Sequence, residues 1–306
     1  MRELHFYNAE RRRVAVTKRN KARIRALYRA AAKDIQKEID YLNSLPILNV
    51  SGKMRAGYLG ALQKRIDAAL KNVDKNLDKI IRDGMVYTAD GAVKDVQKFL
   101  GSVGMKVTGA FSRVPQDAVA KVASGQLYQS DWTLSKAIWG NSKKIHKDID
   151  KIIAQGIAQN KSAYDIAKDL EKYVNPAKQK PWDWGKVYPG TNKVIDYNAQ
   201  RLARTMVTHA YQQSLIDVSK NNPYLIGLKW EASNSDRTCE LCNERDGKIY
   251  PVDDVPLDHP NGMCTQIAVF NKDLDYIAKD LAEKAAEPLN NPEYQEWKEY
   301  IKRKSL

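Results

Sequence analysis

Cysteine is scarce in this chain of 306 residues: there are three, and all lie between positions 239 and 264. An odd number confined to so short a stretch excludes a disulfide framework and marks a local site. Long apolar runs are missing as well. None approaches the ~18–20 residues of a helical membrane span, and the opening Met1-Arg2-Glu3-Leu4-His5 lacks the apolar core of a signal peptide. The expectation is a soluble chain with no membrane partner. No P-loop, G-x-S-x-G or H-E-x-x-H occurs anywhere, so the expectation is also that the protein is not an enzyme. What is present is enough apolar sequence for a core: 43% hydrophobic against 29% charged excludes wholesale disorder.

Acidic residues are absent from 11 to 33, and that gap locates most of the net charge of +14. The stretch holds Arg11, Arg12, Arg13, Lys18, Arg19, Lys21, Arg23, Arg25, Arg29 and Lys33, ten cations in 23 residues. The remaining 283 residues therefore contribute only about four net charges. Such a block repels itself unless an anion lies beside it, which leaves nucleic acid, an acidic protein face or an anionic membrane surface as candidates. A solvated basic face is the plainer alternative. Few aromatics interleave with the cations, so base stacking is not indicated. The block predicts contact with the phosphates of double-stranded DNA without sequence reading.

The same segment is periodic. Ile24, Leu27, Tyr28, Ala31, Ile35, Ile39 and Leu42 recur at three- and four-residue spacing, with Pro46 after them. A second helix is predicted over 61–82, with Leu62, Ile66, Ala69, Val73, Leu77 and Ile80 as its stripe and Gly84 as the glycine past its end. Its spacing suits antiparallel packing on the first helix. Further helical patterns run through Val93–Val103 and Ile145–Ile157. Ser162-Ala163-Tyr164-Asp165 has the shape of a capping box opening a short helix. Residues 175–192, with Trp182 and Trp184, read as a long loop. A helix resumes from Tyr197 to about Lys220. The pattern then changes: Ile226, Leu228 and Trp230 alternate, while Lys248-Ile249-Tyr250 and Ile267-Ala268-Val269-Phe270 are short and β-prone. The predicted class is mainly α with a small α+β module, laid out as a basic helical region over 1–160, a short-stranded, zinc-ribbon-like module over 161–270 and a helical tail over 271–306.

Cys239 and Cys242 form a C-x-x-C, followed by His259 and Cys264. Three cysteines and a histidine at this spacing match a tetrahedral structural zinc site, closed by four protein ligands and leaving no place for a catalytic water. Buried thiols without metal and a redox pair are the alternatives. His5, His146 and His209 have no partner visible in the sequence and read as surface or structural histidines. Asp258-His259-Pro260-Asn261 downstream of the C-x-x-C leaves one enzymatic alternative, an HNH-like nuclease using His259 with Asp258.

From Trp230 onward the chain resembles the signature of tailed-phage minor head proteins, the Mu F-like head morphogenesis family. In that family a Trp precedes D-x-R-T-C-x-x-C, an Asp-Gly, and then a Pro and H-P-x-C-x-C. Trp230, Arg237, Thr238, Cys239, Cys242, Asp246, Gly247, Pro256, His259, Pro260 and Cys264 match it, and Asp236 stands directly before Arg237, one position nearer than that spacing. Gly262 departs from it, standing where the family often has the first Cys of the C-x-C. The resemblance covers about 161–270, including the helices around Gly156–Tyr173 and Arg201–Ser219. It implies a low-copy minor capsid protein acting in head assembly, inside the procapsid near the portal vertex, and in the host cytoplasm while heads are built. Its implied partners are the portal protein, packaged DNA and scaffold or major capsid protein, with a role in DNA ejection. A purely protein-binding adaptor, its basic block meeting an acidic portal or scaffold face, is the other alternative.

Overall fold

The structure, a computed structural model, describes residues 2–4, 7–44, 52–105, 109–159, 161–178, 195–233, 238–287 and 290–305. Pro46, Trp182, Trp184, Asp236 and Arg237 lie outside them. The described elements are β1 (Arg2–Leu4), α1 (Tyr7–Ser44), α2 (Gly52–Ser102), α3 (Val114–Ser124), α4 (Leu134–Ala158), α5 (Ala163–Val174), α6 (Tyr197–Ser219), β2 (Leu225–Glu231), α7 (Glu240–Arg245), β3 (Ile249–Tyr250), β4 (Thr265–Phe270), α8 (Leu274–Ala286) and α9 (Pro292–Arg303). This is the mainly helical class, with a small α+β module, that the sequence predicts.

Two compact units are formed. One takes Met1–Lys18, Ile81–Asp131 and Ala203–Leu306; the other takes Arg19–Ile80 and Trp132–Leu202. They cut across the consecutive segments 1–160, 161–270 and 271–306. The physical reason is a shared core in the first unit. Phe99 and Leu100 of α2, Tyr211 and Leu215 of α6, Leu228 of β2, Phe270 of β4, and Trp297 and Tyr300 of α9 are buried in one cluster, so the C-terminal tail packs as part of that unit.

In the first unit the strands form one antiparallel sheet in the order β1-β4-β2-β3. All six residues of β4 are buried, as a central strand covered on both faces requires. β1 pairs with β4 through Arg2↔Phe270 and Leu4↔Ala268. On its other side β4 pairs with β2 through Leu228↔Ala268 and Trp230↔Gln266. The alternation of Leu228 and Trp230, both fully buried, thus puts two large apolar side chains on the covered face of β2.

The second unit is helical among its described residues. Ile24, Tyr28, Ile35 and Ile39 of α1, Leu62, Ile66, Leu70 and Leu77 of α2, Ile145, Ile149 and Ile152 of α4, and Ile166, Leu170 and Tyr173 of α5 are buried. Ser162 caps α5 as its sequence indicates, its hydroxyl accepting from the Asp165 amide at 3.1 Å.

One expectation is corrected. The second helix does not stop at Gly84; α2 runs on unbroken to Ser102. The helix-ending glycine is Gly104, whose φ of +83° supplies the left-handed turn. There the Met105 amide donates to Leu100 O at 3.0 Å and the Gly104 amide to Gly101 O at 3.2 Å, the paired bonds of a Schellman cap. Gly84 is carried through instead, and Thr88 donates back to its carbonyl at 3.0 Å.

Candidate metal centre

Three short pieces of chain in the first unit build the cluster. β2 delivers Trp230. The segment after it leads to Cys239, which sits at the N-cap of α7, with Cys242 three residues into the turn. A returning loop carries Asp258 and His259, turns at Asn261 (φ +70°), and supplies Cys264 immediately before β4. The two sequence-predicted halves therefore meet. Donor atoms of Cys239, Cys242 and His259 lie within 4.8 Å of one another, and so do those of Cys242, Asp258 and Cys264. Cys242 belongs to both trios. A tetrahedral shell with Zn–S bonds near 2.3 Å places sulfurs about 3.8 Å apart, so the spacing fits a metal with small adjustment.

Burial is graded across the site. Cys239 is exposed, while Cys242, Cys264 and Trp230 form a small apolar cluster with Ala232. The Arg245 guanidinium lies over the Trp230 ring at 5.1 Å and donates to Leu257 O at 3.3 Å. The Asp246 carboxylate accepts from the Ala232 amide at 2.7 Å, which ties the end of β2 to the end of α7. Gly247, with φ +75°, makes the turn into β3.

The electrostatics are those of a buried pocket whose acids resist ionising. Burial, then the neighbouring Cys264 and Cys239, push the Cys242 thiol far above the ordinary range. Burial, then the Asp258 charge, push up Cys264. Asp258 is also raised, by burial above all, with His259 and Arg13 opposing. Burial is the first cause for all three groups, and a divalent cation would compensate the cost of ionising them.

The loop bearing Asp258, His259 and Cys264 is held by one face of α6. The Gln212 amide donates to Pro256 O at 2.6 Å and accepts from the Asp258 amide at 3.0 Å. His209 Nε2 meets Asp258 O at 2.9 Å, and its Nδ1 meets the Tyr128 hydroxyl at 2.7 Å. Burial lowers His209 to a pKa of about 4, so it is a neutral structural histidine. Thr205 accepts from the Asn261 amide at 2.9 Å. Residues 205, 209 and 212 share a helical face, a pattern visible in the sequence but not interpretable without the loop it grips. His146 pairs with Asp67 at 3.2 Å in the second unit.

The basic block divides by burial. Arg13 is fully buried in the first unit, donating to Met263 O at 3.1 Å and lying 5.4 Å from the Tyr211 ring centroid. It therefore holds the loop that carries Asp258, His259 and Cys264 rather than presenting its charge to solvent. Arg12, Arg23 and Arg25 are half-buried, and Arg25 faces Asp196 at 3.4 Å. Arg11 and Lys18 are exposed in the first unit; Arg19, Lys21, Arg29 and Lys33 are exposed in the second. No helix among the described residues is long and apolar enough to cross a membrane.

Residues 144–267 match the family model described as Phage Mu protein F like protein. The match runs from within α4 to β4, so it contains the whole Cys/His cluster and the gripping face of α6 but not the basic block. No curated protein and no solved structure matches the chain.

Proposed function

We propose, from the match of residues 144–267 to the family model described as Phage Mu protein F like protein, that this chain is a phage head morphogenesis protein, a minor capsid protein of the virion. It works at the portal vertex with the portal and other capsid proteins as partners, and contacts packaged DNA through α1. The family match carries this reading. The DNA contact is supported by a row on α1 within the second unit: Lys21, Arg29 and Lys33 are exposed at spacings of eight and four residues and so share one face, with Arg25 between them half-buried against Asp196. At 1.5 Å per residue the row spans about 18 Å, a length over which duplex DNA presents about ten phosphates. The role is structural, and the chemistry is charge neutralisation without base reading.

Cys239, Cys242, His259 and Cys264 would hold a structural zinc ion, which when bound neutralises the thiolates and cross-links α7 to the loop before β4. Elemental analysis of protein purified without chelator tests this; one equivalent is expected, and well below one would refute it. Chelation should lower the thermal midpoint of the wild type and leave Cys242→Ser unmoved. For the head role, the protein is expected to co-purify with the portal protein. Co-purification that disappears on nuclease treatment would show the association to run through DNA, and its absence in both conditions would refute the portal assignment.

A further inference from the structure

The nuclease alternative apart, the sequence assigns Asp258 no part in the cluster, yet the fold puts its carboxylate there. Asp258 is 2% exposed. Its Oδ1 accepts from the His259 amide at 2.9 Å, while its Oδ2 is buried with no hydrogen-bond partner. An unsatisfied buried carboxylate oxygen is costly, by roughly 1–3 kcal/mol or more. Among the described residues no basic side chain hydrogen-bonds that oxygen: Arg13, near enough to favour the carboxylate's charge, donates to Met263 O and Thr208. What does lie beside it are two buried sulfurs, since Cys242, Asp258 and Cys264 are one of the two trios whose donor atoms fall within 4.8 Å.

The packing around the carboxylate shows that its place is specified. A Cβ built at Gly262 would overlap both Asp258 oxygens and Cγ. Any side chain at 262 would therefore evict the carboxylate, and the glycine leaves it seated between the turn and the two thiols. His259 is arranged to complement this. Its Nδ1 lies 3.1 Å from Pro260 O, the outer hydrogen bond that commonly orients a ligating imidazole through its other nitrogen.

We propose that Asp258 is a direct metal ligand, a fifth donor to the cation that Cys239, Cys242, His259 and Cys264 would hold, so that the shell contains an oxygen beside its sulfurs and imidazole. This rests on the metal reading above. The consequence is a harder site than one built of thiolates and imidazole alone, less biased toward soft ions. It also gives the orphan Oδ2 its partner.

The test is titration of the full-length protein with Zn²⁺, Co²⁺ and ¹¹³Cd²⁺, comparing wild type, Asp258→Asn and Asp258→Cys. Asp258→Asn is expected to lower Zn²⁺ affinity by about tenfold or more and to change the Co²⁺ visible spectrum and the ¹¹³Cd resonance. Asp258→Cys is expected to retain binding, add sulfur-to-cobalt charge-transfer intensity and favour Cd²⁺ over Zn²⁺ relative to wild type. If wild type binds metal while Asp258→Asn keeps its affinity within twofold and its Co²⁺ spectrum, the carboxylate is not a ligand and the metal reading stands without it. Loss of stability with an unchanged Co²⁺ spectrum likewise overturns the assignment in favour of a packing role. If wild type binds none of the three ions, both readings fall. Should Asp258→Asn not fold, X-ray absorption at the zinc edge of wild type decides alone: an oxygen donor in the shell is expected, and a shell of sulfur and imidazole only refutes it.

Discussion

The basic block offers a quantitative test because burial separates its members. Lys21, Arg29 and Lys33 are exposed on α1 in the second unit, whereas Arg13 is fully buried in the first. Each cation that neutralises a duplex phosphate adds about 0.9 to the log–log dependence of affinity on salt. Changing all three to Gln should therefore flatten the slope by about 2.7. Between 50 and 200 mM salt, a slope of that size corresponds to about a fortyfold change in affinity. Arg13→Met should leave the slope untouched. It should instead destabilise the protein by about 1–3 kcal/mol: the bond to Met263 O and the contact with the Tyr211 ring are lost, and relief of the buried charge offsets part of that. The assay is fluorescence anisotropy on a mixed-sequence duplex over a salt series, with urea denaturation alongside. A triple Gln variant whose slope stays within about 0.5 of wild type, or an Arg13→Met variant that flattens it, would refute the reasoning.

Three further outcomes follow from the geometry. Gly156→Ala should cost about 1–3 kcal/mol despite the better helix propensity of Ala, because the new Cβ would sit 2.7 Å from Ile166 Cγ1; denaturation of Gly156→Ala with and without Ile166→Ala should show strong positive coupling, and additive costs would contradict the contact. Gln212→Ala should destabilise by about 2–4 kcal/mol, since it leaves both Pro256 O and the Asp258 amide without their bonds, and amide exchange at Asp258 should accelerate; unchanged exchange counts against the grip of α6 on the loop. Asp196 is fully buried, and burial raises its pKa despite the Gln200 amide and Arg25. A carboxyl raised in the folded state favours folding at low pH and opposes it once the pH has risen through its folded value. Asp196→Asn should therefore be relatively more stable than wild type at neutral pH, and the gain should fade as the pH falls toward the ordinary aspartate value; a gain that is constant with pH would contradict the shift.

Local signals carried much of this architecture. Ser162 and Asp165 sit three apart, and the cap they describe forms between neighbours in the chain. Leu228 and Trp230 show the alternation of a half-covered strand, and Cys239 and Cys242 need only one turn to converge. The features that local signals did not give depend on what lies beyond the neighbouring residues. β1 is three residues long, too short to show a period, and exists as a strand because β4 lies beside it. Gly84 resembles a helix end in isolation, yet it is Gly104 that adopts the left-handed turn. Arg13 looks like its neighbours in an acid-free run, and only Met263, 250 positions away, distinguishes it.

That last contact changes what the N-terminal helix is for. In the first unit, the opening turns of α1 do not merely precede the family-matched region; they complete it. Arg13 holds the carbonyl of Met263, the residue between Gly262, whose missing side chain seats Asp258, and Cys264, a proposed ligand. The Ala9 amide donates to the Asp95 carboxylate at 2.8 Å, fixing the same stretch of α1 to α2. From the other side, Thr205, His209 and Gln212 of α6 grip the loop's backbone. The loop is therefore held by contacts that need no ion, a buried cation on one side and neutral polar groups on the other. Such contacts lower the ordering cost of binding an ion, so a metal here would lock a loop that is already held from both sides. The placement of Arg13 also gives part of the basic block a reason to exist that is independent of any anionic partner.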